Sequence, residues 1–136
     1  MRHLHPRFLP ALLALSAACG AGEATPATHT TPEEPALMMV IRVVIDVVPA
    51  QRDAFVAYLT EEAERVREMD GCERYALYGD ATEDNRFLLY EEWASAEAFA
   101  AYRTSDALRQ SFTVLGPMMA RPPDSAYFAA APQPTS

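Results

Sequence analysis

The 136-residue chain has no lysine, so all eleven of its basic residues are arginines, and nineteen acidic residues outnumber them. The resulting net charge of −8 disfavours non-specific nucleic-acid binding, which requires many cations against the phosphates. The same acidic surplus disfavours adsorption of the folded part to anionic membranes. We therefore predict no nucleic-acid partner and no direct contact with a lipid surface.

Histidine is scarce and poorly placed for catalysis. The three histidines are His3, His5 and His29, all near the N-terminus. The rest of the chain therefore lacks the side chain that most often acts as a general base near neutral pH. Any proton acceptor there must be a carboxylate, a tyrosinate or the solvent.

The N-terminal segment, residues 1–19, has the pattern of an export signal. Arg2 and Arg7 precede "FLPALLALSAA", an apolar stretch too short to remain as a transmembrane helix. "LSAAC" followed by glycine resembles a bacterial lipobox, which predicts lipidation of Cys19 and anchoring to the membrane through that lipid alone. Ser16 stands where leucine is preferred, so ordinary cleavage to a periplasmic or secreted protein stays open.

The remaining chain divides by composition into three parts. Residues 20–36 are rich in Pro, Thr, Ala and Glu and predict a disordered tether, residues 37–130 predict one folded domain, and residues 131–136 predict a disordered tail. If Cys19 is lipidated, Cys72 has no intramolecular partner for a disulfide. We interpret Cys72 as a small buried hydrophobe at a strand start, with a reactive thiol as the alternative.

The apolar patterning of the domain predicts an α+β fold. Strands are predicted at 38–48, 73–80, 86–93 and 121–130. A first helix is predicted after Pro49, where one stripe is formed by Phe55, Leu59, Glu62, Val66 and Met69. A second is predicted at 96–103 behind the N-cap Ser95, and a third helical segment begins at 106 and ends near Gly116 and Pro117. The order is that of the ferredoxin-like β-α-β-β-α-β fold, an antiparallel sheet with helices on one face.

The first strand has two unequal faces. Its odd-numbered positions are uniformly apolar, whereas on its even-numbered face Val40, Val44 and Val48 alternate with Arg42 and Asp46. Helices can cover only one side of so small a sheet, which leaves the mixed face exposed. We therefore predict a homodimer built through the face that carries the three valines.

Four segments of the domain resemble the antibiotic biosynthesis monooxygenase family: "VIDVVPAQRDAFVAYL", "DGCERYALYGD", "RFLLYEEWASAEAFAAY" and "RPPDSAYFAA". The most specific features are Gly-Cys-x-x-Tyr at 71–75, Tyr-Glu-x-Trp at 90–93 and the Pro-Pro before the last strand. The resemblance implies a dimeric α+β barrel and a cofactor-independent monooxygenase that oxidises quinols or similar electron-rich aromatics with O2. Many members have no assigned activity, so a non-catalytic dimeric module that binds small hydrophobic aromatics is the alternative.

The resemblance also suggests catalytic residues. Glu91 matches the family's glutamate, and an apolar wall would raise its pKa and let it accept a proton from a phenolic substrate. The alternatives for Glu91 are an ion pair with Arg42 or Arg74, or exposure to solvent. Trp93 matches the tryptophan that borders the cavity in several relatives, and its alternative role is a core anchor beneath the following helix.

Two positions depart from the family's pattern. Tyr102 and Ala107 stand where relatives often carry histidines, so Tyr102 is predicted to shape the pocket in place of an imidazole. With no histidine in the domain, the obvious axial ligand for heme is missing, which disfavours the heme-degrading branch.

Asp80, Glu83 and Asp84 share a loop but do not form a calcium-binding pattern. We predict no metal and no cofactor.

Three more tyrosines and one arginine complete the predicted site. Tyr75, Tyr78 and Tyr90 lie on neighbouring strands of the predicted hairpin, where their rings would stack on or hydrogen-bond to a flat aromatic ligand. Together with Arg42 they are the predicted substrate-binding residues. Their alternative role is that of core and dimer-interface side chains.

Overall fold

The structure is a computed structural model that describes residues 36–135. The predicted export signal, including Cys19, and the predicted tether up to residue 35 lie outside the described residues. The elements are β1 (Met38–Asp46), α1 (Arg52–Arg67), β2 (Cys72–Gly79), β3 (Arg86–Trp93), α2 (Ala96–Arg103), α3 (Asp106–Leu115) and β4 (Asp124–Ala130). Short 3-10 helices precede α1 and follow α3, at Pro49–Gln51 and Gly116–Met118.

The four strands form one antiparallel sheet in the order β2-β3-β1-β4. β1 is central because its long β-branched run pairs along its length with β3 on one side and with β4 on the other. The predicted fold class, a ferredoxin-like α+β sheet, is confirmed.

Side chains alternate between the two faces of the sheet. The face that packs against the helices, here called the inner face, carries Ile41, Ile45, Tyr75, Phe87, Leu89 and Trp93, which form one buried cluster with Phe55, Leu59 and Val66 of α1 and Phe99 and Tyr102 of α2. On the opposite face, here called the outer face, none of the helices within residues 36–135 packs. This face carries Val40, Arg42, Val44, Arg74, Tyr78, Leu88, Tyr90, Glu92 and Phe128.

The predicted element ends differ from the observed ones where local hydrogen bonds change. β1 stops at Asp46 because the next two amides leave the sheet: Val47 donates to the carbonyl of Asn85 and Val48 to that of Met118. Val48 therefore lies beyond the end of the strand that carries the other two valines. α1 ends at Arg67, so Met69 lies beyond the helix whose stripe was predicted to include it.

The turn between α1 and β2 fixes the junction where β3 meets α2. Gly71 has a φ of 80°, a left-handed conformation that favours glycine, and a side chain there would collide with Ala98 of α2. The carbonyl of Gly71 accepts a hydrogen bond of 2.8 Å from the amide of Ala94, the residue after β3. Ser95 then caps α2 by accepting from the amide of Ala98 at 3.1 Å.

A second cap separates α3 from α2. The side chain of Ser105 accepts from the amide of Leu108 at 3.1 Å, which starts a new helix and lets the chain change direction. As a result α3 turns Ser111 and Leu115 inward. Between residues 36 and 135, no helix is both long enough and apolar enough to cross a membrane.

Candidate functional site

A cavity of about 300 Å³ lies between the inner face of the sheet and helices α2 and α3. Most of its wall is apolar and is formed by Ile41, Val43, Leu89, Phe99, Leu108 and Leu115. Polar side chains also line it, including Tyr75, Glu91, Tyr102, Arg103, Ser111 and Ser125. An apolar cavity with few polar groups and a volume near the lower end of the usual 300–1,000 Å³ is typical of a site for a small organic ligand.

The cavity opens to solvent between α2, α3 and β4. Among its lining residues, Tyr127 of β4 is 48% exposed and Phe112 of α3 is 55% exposed. The Tyr127 ring contacts Phe99, with 5.7 Å between the centroids, and the guanidinium of Arg103 lies 5.5 Å from its centroid. The mouth is therefore aromatic with one cation beside it.

Glu91 is the acidic group of the cavity. Buried and less buried residues alternate strictly along β3, which turns Glu91 inward between Ile41 of β1 and Tyr75 of β2. Only 4% of Glu91 is exposed, and burial raises its pKa from 4.5 to about 7. The carboxyl group therefore loses its proton in the pH range where a general base is most effective.

Trp93 orients this carboxyl group from behind. Its indole N–H donates to Oε2 of Glu91 at 2.9 Å, a contact that favours the charged form and limits the rise in pKa. Oε1 of Glu91 has no hydrogen-bond partner within residues 36–135, which leaves it for a ligand.

The predicted position of Trp93 in the pocket wall differs from the observed one. Trp93 is 0% exposed and does not line the cavity that contains Glu91. Its ring stacks on that of Tyr102, with 4.8 Å between centroids, and packs against Phe99 at 6.3 Å. These contacts are those of a core anchor beneath α2, because the β3–α2 junction folds the helix directly over the end of the strand.

Tyr75 and Tyr102 bring their hydroxyl groups together at the cavity wall. The two oxygens are 3.4 Å apart and the rings meet edge to face, with centroids 6.3 Å apart. Burial is the largest effect on both hydroxyls and raises the pKa of each. Neither tyrosine therefore becomes a tyrosinate near neutral pH. One hydroxyl donates to the other, so the pair has one hydrogen left for a ligand.

Arg42, Tyr78 and Tyr90, predicted to bind substrate with Tyr75, lie on the outer face of the sheet. Strand alternation separates them from the cavity, since Arg42 pairs with Tyr90 across β1 and β3 and the side chains of both point away from Glu91. Their contacts are local: Arg42 lies 3.7 Å from Asp124, Tyr78 accepts from Arg74 at 3.1 Å, and Tyr90 donates to Glu92 at 2.7 Å. They do not contribute to this cavity.

The same separation excludes the ion-pair interpretation of Glu91. Both Arg42 and Arg74 lie on the face opposite to it. With 4% exposure, Glu91 is not solvated either. Of the roles considered from the sequence, the position of Glu91 fits only that of a buried cavity acid.

Sequence reasoning missed the group of polar residues on the α3 side of the cavity. Ser111 of α3 lines the cavity and donates to Oε1 of Glu62 at 2.6 Å, and Tyr58 donates to Ser111 at 3.1 Å. Glu62 and Tyr58 both belong to α1. The one available signal was the placement of Glu62 within the apolar stripe of α1, because a buried carboxylate requires a partner.

Cys72 and metal binding were also considered from the sequence. Cys72 is half-buried, and burial, with a smaller effect from the charge of Glu91, raises the pKa of its thiol, so a reactive thiolate is disfavoured near neutral pH. Within residues 36–135 no group of three or more His, Cys, Asp or Glu side chains is arranged to hold a metal ion. The absence of a metal and of a cofactor stays a prediction.

Comparison with known proteins agrees with this architecture. The sequence profile of the family "Antibiotic biosynthesis monooxygenase" matches residues 38–114, a range that includes Glu91, Trp93, Tyr102 and Ser111. A candidate antibiotic biosynthesis monooxygenase from Caulobacter crescentus CB15 superposes with a TM-score of 0.68 and 26% identity, over 71% of this chain and 92% of that one. Rv0793 from Mycobacterium tuberculosis gives a TM-score of 0.66 and 23% identity, over 72% and 99%.

A curated protein from Synechocystis sp., the uncharacterised sll1783, is 39% identical over 54 residues. That match covers 40% of this chain and 37% of the relative's length. The likeness therefore supports relatedness over part of the domain and carries no activity with it.

Proposed function

The chain belongs to the antibiotic biosynthesis monooxygenase family, and from this we propose that it oxidises a quinol or a similar electron-rich phenolic aromatic with O2. The observation that carries the proposal is the buried carboxyl group of Glu91, which lines an apolar cavity and has a pKa raised to about 7. A group of that kind accepts a phenolic proton near neutral pH, where an unperturbed glutamate is too weak a base.

The ring of the substrate supplies the electrons. A quinol with a free ring position that reacts with one O2 gives a hydroxylated quinone and one water, so the ring loses four electrons and both oxygen atoms are accounted for. Deprotonation is the step that a protein without a bound redox group assists most directly, since a phenolate gives up an electron to O2 more readily than a phenol. In this scheme Glu91 takes the proton, and no cofactor is required.

The other groups of the cavity support the ionised substrate. The neutral hydroxyls of Tyr75 and Tyr102 are hydrogen-bonded to each other at 3.4 Å, so the pair has one hydrogen left to donate to the phenolate oxygen. The indole N–H of Trp93 holds the Glu91 carboxyl group at a fixed angle. A ligand bound against the apolar wall displaces water, which strengthens each of these hydrogen bonds.

Oxygen uptake tests the proposal. The protein is mixed with a panel of quinols in the presence of a chelator and without added metal or flavin, and O2 consumption is recorded with an electrode. Uptake that saturates with quinol and requires Glu91 supports the monooxygenase. Saturable quinol binding without O2 uptake would instead identify the second candidate, a non-catalytic module for small aromatics.

We also propose that the active form is a homodimer joined through the outer face, with Val40 and Val44 at its centre. Leu88 and Tyr90 continue the same half-buried patch, and Phe128 at its edge is 50% exposed. A patch of that kind is uncommon on a monomer. Export and lipidation at Cys19 likewise stay proposals for the N-terminal segment.

A further inference from the structure

Ser111, which the proposed chemistry leaves without a role, lines the same cavity as Glu91 from the α3 side. Only 3% of the residue is exposed, and a buried hydroxyl at the wall of an apolar cavity is a natural point of contact for a ligand. What it offers to a ligand depends on how its own hydrogen and lone pairs are used.

The single hydrogen of the Ser111 hydroxyl is committed to Glu62. The two oxygens are 2.6 Å apart, as expected for a hydroxyl that donates to a carboxylate. Glu62 is itself 3% exposed, and its other oxygen forms an ion pair with Arg65. A carboxylate has no hydrogen to give, so the donor in this contact must be Ser111.

The hydroxyl of Tyr58 uses one lone pair of Ser111. The two oxygens are 3.1 Å apart, and since the only hydrogen of Ser111 points to Glu62, Tyr58 must be the donor. The direction of both hydrogen bonds thus follows from the carboxylate of Glu62, which can only accept. Ser111 retains one lone pair, so it accepts a hydrogen bond from a ligand but cannot donate one.

From this arrangement we propose that Ser111 is a specificity-determining residue that selects aromatics with a second free hydroxyl. The inference rests on the proposed function, since it concerns the substrate of the same cavity. One hydroxyl of the ligand meets Glu91 and the other donates to Ser111. The substrate class narrows from phenols in general to aromatic diols of the quinol type.

Because Ser111 can accept a hydrogen bond from a ligand but cannot donate one, it also disfavours binding of the oxidised product. A quinone carbonyl is an acceptor, and it would meet the lone pair of Ser111 without a hydrogen between the two oxygens. A methyl ether in that position lacks the hydrogen for the same reason. The cavity therefore holds the reduced diol more tightly than either the quinone or the monomethyl ether, and releases the product once the two hydroxyl groups of the quinol have become carbonyls.

Anaerobic binding measurements test this inference without turnover. The full chain is titrated calorimetrically with 1,4-naphthalenediol, with its monomethyl ether 4-methoxy-1-naphthol, and with 1-naphthol, which lacks the second oxygen. One neutral hydrogen bond is worth about 1 kcal/mol, so the diol is expected to bind roughly fivefold to tenfold more tightly than either analogue. The inclusion of 1-naphthol separates the lost hydrogen bond from the bulk of a methyl group.

Two variants assign the preference to Ser111. Ser111→Ala removes the acceptor, so the diol and its two analogues are expected to bind with nearly equal dissociation constants. Glu62→Gln keeps the volume but presents an amide N–H₂ to Ser111, which frees the serine hydrogen to point into the cavity, so the preference for the diol over the methyl ether is lost or reversed. Thr113→Ala is the matched control, because that hydroxyl bonds to the carbonyl of Arg109 on the exposed side of α3.

The outcomes separate the two proposals. Equal binding of all three ligands by the unaltered protein, together with quinol-dependent O2 uptake, overturns the role of Ser111 and leaves the proposed function standing. A diol preference that persists in both Ser111→Ala and Glu62→Gln overturns it as well. Binding of none of the ligands overturns both proposals. If Ser111→Ala fails to fold by circular dichroism, the Glu62→Gln result decides.

Discussion

Glu91 and Glu92 are neighbours on β3, but their carboxyl groups lie on opposite faces of the sheet. Glu91 points into an apolar cavity and has a pKa raised to about 7. Glu92, half-buried on the outer face, accepts a 2.7 Å hydrogen bond from Tyr90. The chemical type of the residue is the same, so the difference between the two positions comes from strand alternation and from the helices that cover only one face.

The comparison extends to the two faces as a whole. The inner face buries the large aromatic side chains and places its few polar groups in one cavity. The outer face mixes half-buried aliphatic residues with arginine, and its polar contacts are local. We infer that the inner face contains the chemistry and that the outer face is available for assembly. The predictions below test that division, in order of decreasing effect.

The largest effect is expected from truncation of the inner-face anchor. Trp93→Ala removes a side chain that is 0% exposed and contacts Phe99, Tyr102 and Glu91, so we expect the free energy of unfolding to fall by about 3–5 kcal/mol. Denaturant unfolding measures it. Phe128→Ala on the outer face, 50% exposed, is the control and is expected to cost less than about 1 kcal/mol in the isolated protomer. Similar losses for both variants would contradict the division between the faces.

The next effect concerns the pH dependence of stability. The pKa of Glu91 is raised on folding, from 4.5 to about 7, so the folded state binds the proton more tightly than the unfolded state. The contribution of Glu91 to the free energy of unfolding is therefore largest below about pH 4.5. It falls between about pH 4.5 and 7 and is constant at higher pH. The loss amounts to on the order of 3 kcal/mol.

Glu91→Gln removes that loss. We expect the variant to be more stable than the unaltered protein at pH 8 and to show a smaller decline between pH 5 and 7, as measured by urea unfolding at a series of pH values. Glu92→Gln, on the other face, is the matched control and should retain the decline. If Glu91→Gln showed the same decline as the unaltered protein, ionisation of Glu91 would not be what lowers the free energy of unfolding.

A smaller effect is expected at the outer face. Val44→Asp places a charge in the proposed dimer interface, beside Leu88 and close to Asp124 in the β4 register, and should weaken the dimer by about 2 kcal/mol, or roughly thirtyfold. Sedimentation velocity over a range of concentrations measures the shift. Thr113→Asp on the exposed side of α3 should have no effect. If the unaltered protein sediments as a monomer at micromolar concentration, the proposed interface is wrong.

Much of the fold followed from local signals. β3 (Arg86–Trp93) and α2 (Ala96–Arg103) have the predicted bounds, because alternation along the strand and a serine cap at position 95 are strong signals that neighbouring residues reinforce. The end of β1 was misplaced because the amides of Val47 and Val48 bond to Asn85 and Met118, which are distant in sequence.

The site was predictable only where it depends on one strand. The inward position of Glu91 follows from alternation along β3. The group formed by Tyr58, Glu62 and Ser111 joins α1 to α3 across 49 and 53 positions, and its assembly depends on the rotation of α3 about its axis. No local sequence pattern indicates how α3 is rotated about its axis. Arg42, Tyr78 and Tyr90 were predicted to bind substrate from their residue types alone, and strand alternation places them on the face opposite the cavity.

The proton acceptor is the point on which the proposed function depends most. The pH dependence of kcat/KM for quinol-dependent O2 uptake, compared between the unaltered protein and Glu91→Gln, tests it directly. We expect the unaltered protein to show a rise through about pH 7 as Glu91 loses its proton, and Glu91→Gln to lose about 100-fold in rate and to show only the alkaline rise due to ionisation of the quinol itself. Glu92→Gln should match the unaltered protein. Full activity of Glu91→Gln across the pH range would contradict the role of Glu91 as the base.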